Sequence, residues 1–207
     1  MAATRRRQTT GVGGLLLAPG AGSDRDHSCL VAIEVGVAPL PVVRMDFPYR
    51  KAGRRAPDRA PVLLAAMRTE VDGFAGALGV DHGRLVLGGR SMGGRMASML
   101  AAGDGPGASP SPIGERVPAA GLVLVSYPLH PPGKPENLRT EHLPRLTVPC
   151  LFVHGTRDPF ASPDELTAAT AAIPGAVTHV WIEGGRHDLA RADESVSNAV
   201  VAWLSAL

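Results

Sequence analysis

Ser91 lies in a sequence context typical of a nucleophilic serine. Residues 89–93 read Gly-Arg-Ser-Met-Gly, with an apolar run before them and a helix-like pattern after them. A direct strand-to-helix turn of this kind strains the backbone of the serine, and side chains in place of the glycines would strike neighbouring elements. The pattern predicts that the Ser91 hydroxyl projects at a helix N-terminus. The alternatives are a glycine-rich turn that serves packing only, or an anion site at that helix end.

A serine hydroxyl is unreactive at neutral pH unless a base, itself oriented by a carboxylate, removes its proton. Asp158 follows the fifth apolar run of the chain and His187 follows the sixth. The order serine, acid, histidine, with each partner on a loop that leaves a strand, is that of one known hydrolase arrangement. We therefore predict Asp158 as the acid and His187 as the base. Asp188 is expected to face away, and Glu183 is too close in sequence to His187 to reach back.

Acyl transfer also requires hydrogen-bond donors for the oxyanion that develops on the substrate. The backbone N–H of Met92, directly after the serine, is one predicted donor. The second is the N–H of Ala21, in the segment Pro-Gly-Ala-Gly that follows the first apolar run. In the alternative interpretation, the glycines of that segment only turn the chain.

Two aromatic residues that follow strands, Phe47 and Tyr127, are weaker candidates for substrate binding. Aromatic side chains at strand ends are commonly rim packing. Arg90, beside the serine, is expected to brace a helix or loop.

The other histidines are expected to be structural. His154 lies at a strand-end turn, where a hydrogen bond to the following loop is the usual role, and His179 begins a strand at the wrong end of the sheet. Four more lie in predicted loops without a suitable acid: His27, His82, His130 and His142. We find no metal-ligand spacing, and the glycines at 11–14 precede a strand instead of opening a helix, so no cofactor is predicted.

Short apolar runs alternate with helix-like stretches, which indicates an α/β fold with a doubly wound, mostly parallel sheet. The predicted strands are 15–18, 42–46, 85–88, 122–126, 151–154 and 180–182. Three helices are predicted at 28–35, 92–102 and 163–172, the last of them capped by Ser162. A fourth has Pro61 in its first turn and an apolar stripe from Leu64 to Leu78, and a fifth, at the C-terminus, is capped by Asp193. Segments 103–118 and 130–149 are predicted loops, the second too short to form a cap, so an open site is expected.

Length and composition exclude several classes of protein. The chain has 207 residues, of which 44% are hydrophobic, and a net charge of +2. We predict a flexible tail at 1–12 and one domain at 13–207. The dispersed basic residues do not favour nucleic acid, and the longest apolar run is too short for a membrane span. Two cysteines without CxxC spacing favour a reducing, cytoplasmic compartment; the sequence does not specify an oligomeric state.

Three stretches of the chain, residues 87–95, 126–133 and 152–160, resemble the α/β-hydrolase superfamily. Within it they are similar to a small, capless, dienelactone-hydrolase-like group that includes bacterial relatives of testis-expressed protein thirty and of NSL-complex subunit three. The resemblance covers about residues 13 to 206. It implies the same nucleophile, acid and base, and a six-stranded sheet in the order 2-1-3-4-5-6, because the two strands that open larger members are missing. Dienelactone hydrolases proper use a cysteine nucleophile, so their lactone substrate does not transfer.

These observations predict a serine hydrolase that acts on a small ester, thioester or amide. The rival hypothesis is a hydrolase-shaped interaction or ligand-sensing module without turnover, because fold does not fix function.

Overall fold

The computed structural model describes residues 11–104 and 113–207, and it contains all six predicted strands. Four of them, β1, β3, β4 and β5, are buried along their whole length because their residues are almost continuously apolar, as expected for strands covered on both faces. Their bounds are β1 Gly14–Ala18, β2 Val42–Arg44, β3 Leu85–Arg90, β4 Gly121–Val125, β5 Cys150–Gly155 and β6 Val177–Ile182.

The six strands form one parallel sheet in the order β2-β1-β3-β4-β5-β6, which confirms the predicted order. The order reverses beside β1, since β2 pairs with one of its edges and β3 with the other. Ligands of open α/β sheets bind outside the carboxyl ends of the strands near such a reversal. The loops that follow β1 and β3 therefore lie where a site is expected.

Helices cover both faces of the sheet and divide the core into two clusters. Leu15 and Leu17 of β1 point to one cluster and Leu16 to the other, as the two-residue period of a strand requires. The first cluster lies under α1 and α6, and the second lies under α2 to α5. The bounds are α1 Ser28–Gly36, α2 Pro48–Lys51, α3 Ala60–Leu78, α4 Met92–Ala102, α5 Pro163–Thr170 and α6 Asp193–Leu204.

Several boundaries differ from the sequence-based expectation. Strand β2 ends at Arg44 instead of residue 46, and α5 ends at Thr170 instead of residue 172. Strand β6 begins at Val177 instead of residue 180, because its first three residues pair with β5 although Thr178 and His179 are polar. Asp193 is not the N-cap of α6: the Val196 N–H donates to the carbonyl of Ala192, so Asp193 already lies in the first turn. The predicted cap of α5 is confirmed, since Ser162 and Glu165 form a reciprocal capping box.

Parts of two predictions lie outside the described residues, namely residues 1–10 of the tail and 105–112 of the first loop. The second loop contains a single turn of 3₁₀ helix at Leu143–Arg145. Across residues 11–104 and 113–207, no separate cap covers the carboxyl edge of the sheet. Within those same ranges, no helix has both the length and the apolar character of a membrane span.

Candidate active site

Ser91 links β3 directly to α4 in a strained backbone conformation. Its φ and ψ are 50° and −116°, a region that residues with a Cβ rarely occupy and that costs roughly 1–3 kcal/mol. The Ser91 N–H donates to the carbonyl of Val125, 2.8 Å away, which ties the turn to the neighbouring strand. The side chain stands at the N-terminus of α4, as the sequence predicts.

The two glycines around Ser91 are required by the close approach of β1. A Cβ at Gly89, whose φ is +147°, would lie 2.1 Å from the carbonyl oxygen of Ala18. A Cβ at Gly93 would lie 2.2 Å from the same oxygen. Both contacts are with backbone, which cannot move aside, so any larger residue would displace the turn from the strand beside it.

The structure brings together the serine, histidine and acid that the sequence selects. His187 Nε2 lies 2.8 Å from Ser91 Oγ, and His187 Nδ1 lies 2.8 Å and 3.0 Å from the two carboxylate oxygens of Asp158. Because a carboxylate only accepts hydrogen bonds, Nδ1 carries the proton and Nε2 accepts the Ser91 hydroxyl. This is the geometry in which an imidazole can remove the serine proton.

Three neighbours hold the imidazole and the carboxylate in place. The Phe160 ring stacks on His187 with ring centroids 4.0 Å apart, and the Phe160 N–H donates to Asp158 Oδ1 over 2.9 Å. Arg90 Nη2 donates to the His187 carbonyl over 2.8 Å, in agreement with its expected bracing role. The Asp158 side chain is fully buried and that of His187 is 19% exposed, so the base is accessible while its acid partner is not.

The two acids that the sequence analysis set aside have other partners. Asp188 is exposed, and its Oδ1 accepts the Ala190 N–H. Glu183 accepts the hydroxyl of Thr156.

His154 has the structural role predicted for it. Its Nε2 lies 3.0 Å from the carbonyl of Ala161, to which it donates, and 3.5 Å from Asp158 Oδ2. The ring is fully buried, and burial lowers the pKa of His154. His179 lies inside β6, not at its start, and bonds to Thr170.

The remaining histidines have local partners. The His27 ring accepts the Cys29 N–H at the start of α1, and His82 lies 3.2 Å from Asp72. His130 Nδ1 lies 2.9 Å from the Pro131 carbonyl. His142 was predicted to lie in a loop without a suitable acid. It is buried, and its Nε2 lies 2.8 Å from the Ser98 hydroxyl.

A cavity of about 370 Å³ opens beside Ser91, and both predicted oxyanion donors line it. Among the described residues, the N–H groups of Met92 and Ala21 have no hydrogen-bond partner. Met92 is the first residue of α4, where N–H groups have no intrahelical acceptor. Ala21 lies in the exposed turn after β1. Two residues that line the space next to the nucleophile therefore have backbone N–H donors without an acceptor among the described residues.

The structure does not place Tyr127 or Phe47 in this cavity. Both side chains are fully buried in the core on the α3 and α4 side of the sheet. Tyr127 directs its hydroxyl to within 3.3 Å of His142 Nε2, and burial raises the pKa of that hydroxyl to about 12. Both follow strands, but their rings turn inward instead of toward the carboxyl edge.

Three cavity-lining residues were missed by the sequence-based search: Arg95, Arg139 and Phe160. Arg95 could have been found, because it lies four residues after Ser91 and thus on the same face of α4. The others lie on loops, whose course the sequence pattern does not predict.

Comparison with known proteins places the chain in a class. The model of the family described as alpha/beta hydrolase domain matches residues 12–205, so the chain belongs to that family.

Solved structures share this fold at low sequence identity. The chain is similar to Est1E from Butyrivibrio proteoclasticus, with 17% identity over 95% of this chain and 88% of that one and a TM-score of 0.70. An alpha-beta serine hydrolase homologue from Coxiella burnetii has 15% identity over 93% and 85% of the two chains and a TM-score of 0.69. A dienelactone hydrolase from Anabaena variabilis has 17% identity over 96% and 88% and a TM-score of 0.68.

Proposed function

We propose that the protein is a serine hydrolase that cleaves an ester, thioester or small amide through an acyl-enzyme on Ser91. The observation that carries the proposal is the pair of 2.8 Å contacts that join Ser91, His187 and Asp158 in series. Membership of the alpha/beta hydrolase family supports it.

In the first half-reaction, His187 Nε2 takes the Ser91 proton while Oγ attacks the substrate carbonyl. The Met92 and Ala21 amides stabilise the oxyanion, each by an amount of about 3 kcal/mol. His187 then gives its proton to the leaving alcohol, thiol or amine as the bond to the acyl carbon breaks. Asp158 stabilises the imidazolium and does not itself take the proton.

In the second half-reaction, water replaces the leaving group. His187 removes a proton from the water, the resulting hydroxide attacks the acyl carbon, and the proton returns to Ser91 Oγ as the ester bond to the enzyme breaks. The products are a carboxylic acid and the regenerated enzyme, so no cofactor enters the reaction. The open, small cavity favours a small acyl substrate.

Two finer predictions belong to this proposal. One is membership of the capless, dienelactone-hydrolase-like group named above. The other is a cytoplasmic location, for which the support is the pair of free, buried cysteines Cys29 and Cys150.

Labelling with a fluorophosphonate probe tests the proposal. We expect the folded native chain to be labelled and the Ser91→Ala variant not to be labelled. Ser98→Ala is the matched control, because Ser98 is a buried serine of the same helix that also contacts a histidine. It should be labelled like the native chain. If the folded native chain does not react, the hydrolase proposal fails and the interaction or sensing module takes its place.

A further inference from the structure

The cavity beside Ser91 is lined by three arginines, Arg90, Arg95 and Arg139. Of the described residues that line it, none is Asp or Glu. None of the three arginines forms an ion pair within 4.0 Å among the described residues, whereas Arg25, Arg44, Arg50 and Arg54 all do. Arg90 still feels the charges of Asp158 and Asp188, so the unpaired positive charge of the cavity is that of Arg95 and Arg139.

Arg90 is already engaged with the site. It is 8% exposed and donates through Nη2 to the His187 carbonyl. We assign it to bracing the histidine loop, as above. The two remaining guanidinium groups are those available to a ligand.

Arg95 enters the cavity from α4. It lies four residues beyond Ser91, so its Cα is about 6 Å along the helix axis from the serine and on the same face. Its guanidinium has no hydrogen-bond partner among the described residues, and its Nε is buried. A guanidinium nitrogen buried without a partner is unfavourable, and an acceptor supplied by a ligand would remove that penalty.

Arg139 enters the same cavity from the loop after β4. Its backbone N–H donates to the Leu129 carbonyl over 2.9 Å, and its Nη1 donates to the Pro128 carbonyl over 3.3 Å, so the backbone and one guanidinium nitrogen are held in place. Burial and then the charge of Arg95 lower the pKa of Arg139. The two like charges thus act on each other, and no described carboxylate relieves the repulsion.

We propose that Arg95 and Arg139 form a subsite for an anionic group, a carboxylate or a phosphate, on the acyl part of the substrate. This inference rests on the proposed hydrolase function and names the class of substrate. Guanidinium groups bind both anions through paired, charge-assisted hydrogen bonds. Bound between the two arginines, the anion would position the ester carbonyl over Ser91 and its oxyanion donors.

Binding and turnover of matched esters test the subsite. The series consists of monoethyl esters of the dicarboxylic acids from succinate to pimelate. Each is compared with the ethyl ester in which a methyl group replaces the carboxylate, and with the one in which a phosphonate replaces it. Dissociation constants are measured calorimetrically with the Ser91→Ala variant, so the result does not depend on turnover, and kcat/KM is measured with the native chain.

We expect a charged ester to bind about tenfold or more tightly than its neutral partner. The preference should fall toward unity in Arg95→Met and in Arg139→Met, each made in the Ser91→Ala background, because methionine keeps an apolar stem and removes the charge. Arg55→Met is the matched control, since it removes the same charge from an exposed arginine outside the cavity, and it should keep the preference. The larger of the two advantages, carboxylate or phosphonate, identifies the anion.

Equal affinity for neutral and charged esters, or a preference that survives both methionine variants, would overturn the subsite. Thermal unfolding of each variant verifies that it folds. If Arg95→Met does not fold, two other variants test the subsite. Arg139→Met changes a loop residue, and Arg95→Lys keeps the charge but not the planar guanidinium. Fluorophosphonate labelling without any charge preference would leave the hydrolase standing and remove the subsite. Charge-selective binding without labelling or turnover would support the subsite and remove the hydrolase proposal.

Discussion

The proton on His187 Nδ1 decides what the Ser91 hydroxyl can do. Both carboxylate oxygens of Asp158 accept a hydrogen bond from the Nδ1–H group, so Nε2 is left as an acceptor 2.8 Å from Ser91 Oγ. The carboxylate is buried and cannot exchange this bond for water. The tautomer, and with it the basicity of the site, is set by one buried acceptor.

Asp158→Asn should therefore lower kcat for an ester by about 10⁴-fold with little change in the fold. The amide N–H₂ of asparagine can donate to Nδ1, which stabilises the tautomer whose Nε2 carries a proton and cannot accept from Ser91. Steady-state hydrolysis of a reactive ester measures the loss. Asp188→Asn is the control, because that exposed carboxylate is next in sequence to His187 but bonds to the Ala190 N–H. Equal losses in the two variants would contradict the assignment of the acid.

At the scale of elements, the turn between β3 and α4 depends on the strand beside it. Gly89 and Gly93 both approach the carbonyl of Ala18, the last residue of β1. The strain at Ser91 is thus held by a contact between non-sequential elements, which the pairing of β1 with β3 fixes.

Gly93→Ala should destabilise the chain by about 1–3 kcal/mol and reduce activity, since its Cβ would fall 2.2 Å from a backbone oxygen. Gly73→Ala is the matched control, because nothing lies within 4 Å of a Cβ built there in the middle of α3. It should stabilise the chain by about 0.5–1 kcal/mol. Urea unfolding of both variants provides the comparison. A Gly93→Ala protein as stable as the native chain would contradict the close approach.

At the scale of the whole molecule, a buried histidine makes stability depend on pH. His142 is buried, and its Nε2 contacts the hydroxyl groups of Ser98 and Tyr127. Burial, followed by the charges of Arg95 and Arg145, lowers the pKa of His142 from 6.5 to about 3. Between about pH 3 and pH 6.5, His142 is therefore neutral in the folded chain and protonated in the unfolded chain.

The free energy of unfolding should consequently decrease as the pH falls from about 6.5 toward about 3, whereas above 6.5 His142 contributes no pH dependence. At pH 5 the loss from this one group is about 2 kcal/mol. His142→Gln removes the titrating group, so its stability should fall less than that of the native chain between pH 7 and pH 5. Urea unfolding at the two pH values measures the difference, and parallel losses in both proteins would refute the prediction.

The sequence predicted much of the fold and the three groups of the candidate site. Apolar runs identified the four central strands because strands buried on both faces hold few polar side chains, and shorter apolar stretches identified the partly buried edge strands β2 and β6. Ser91, Asp158 and His187 could be found because each follows a strand, and the carboxyl ends of parallel strands meet at one edge of the sheet. The resemblance to a known family supplied the strand order, which local pattern alone does not contain.

The tertiary structure decided which side chains face the cavity. Phe47 and Tyr127 follow strands as Asp158 does, yet they turn into the core because their rings find an apolar surface there. Arg95 and Arg139 reach the cavity through long side chains, one from a helix and one from a loop. Such directions depend on the packing of neighbours distant in sequence. The sequence therefore determined the groups of the proposed reaction, and only the folded chain determined the charged surroundings in which they would meet a substrate.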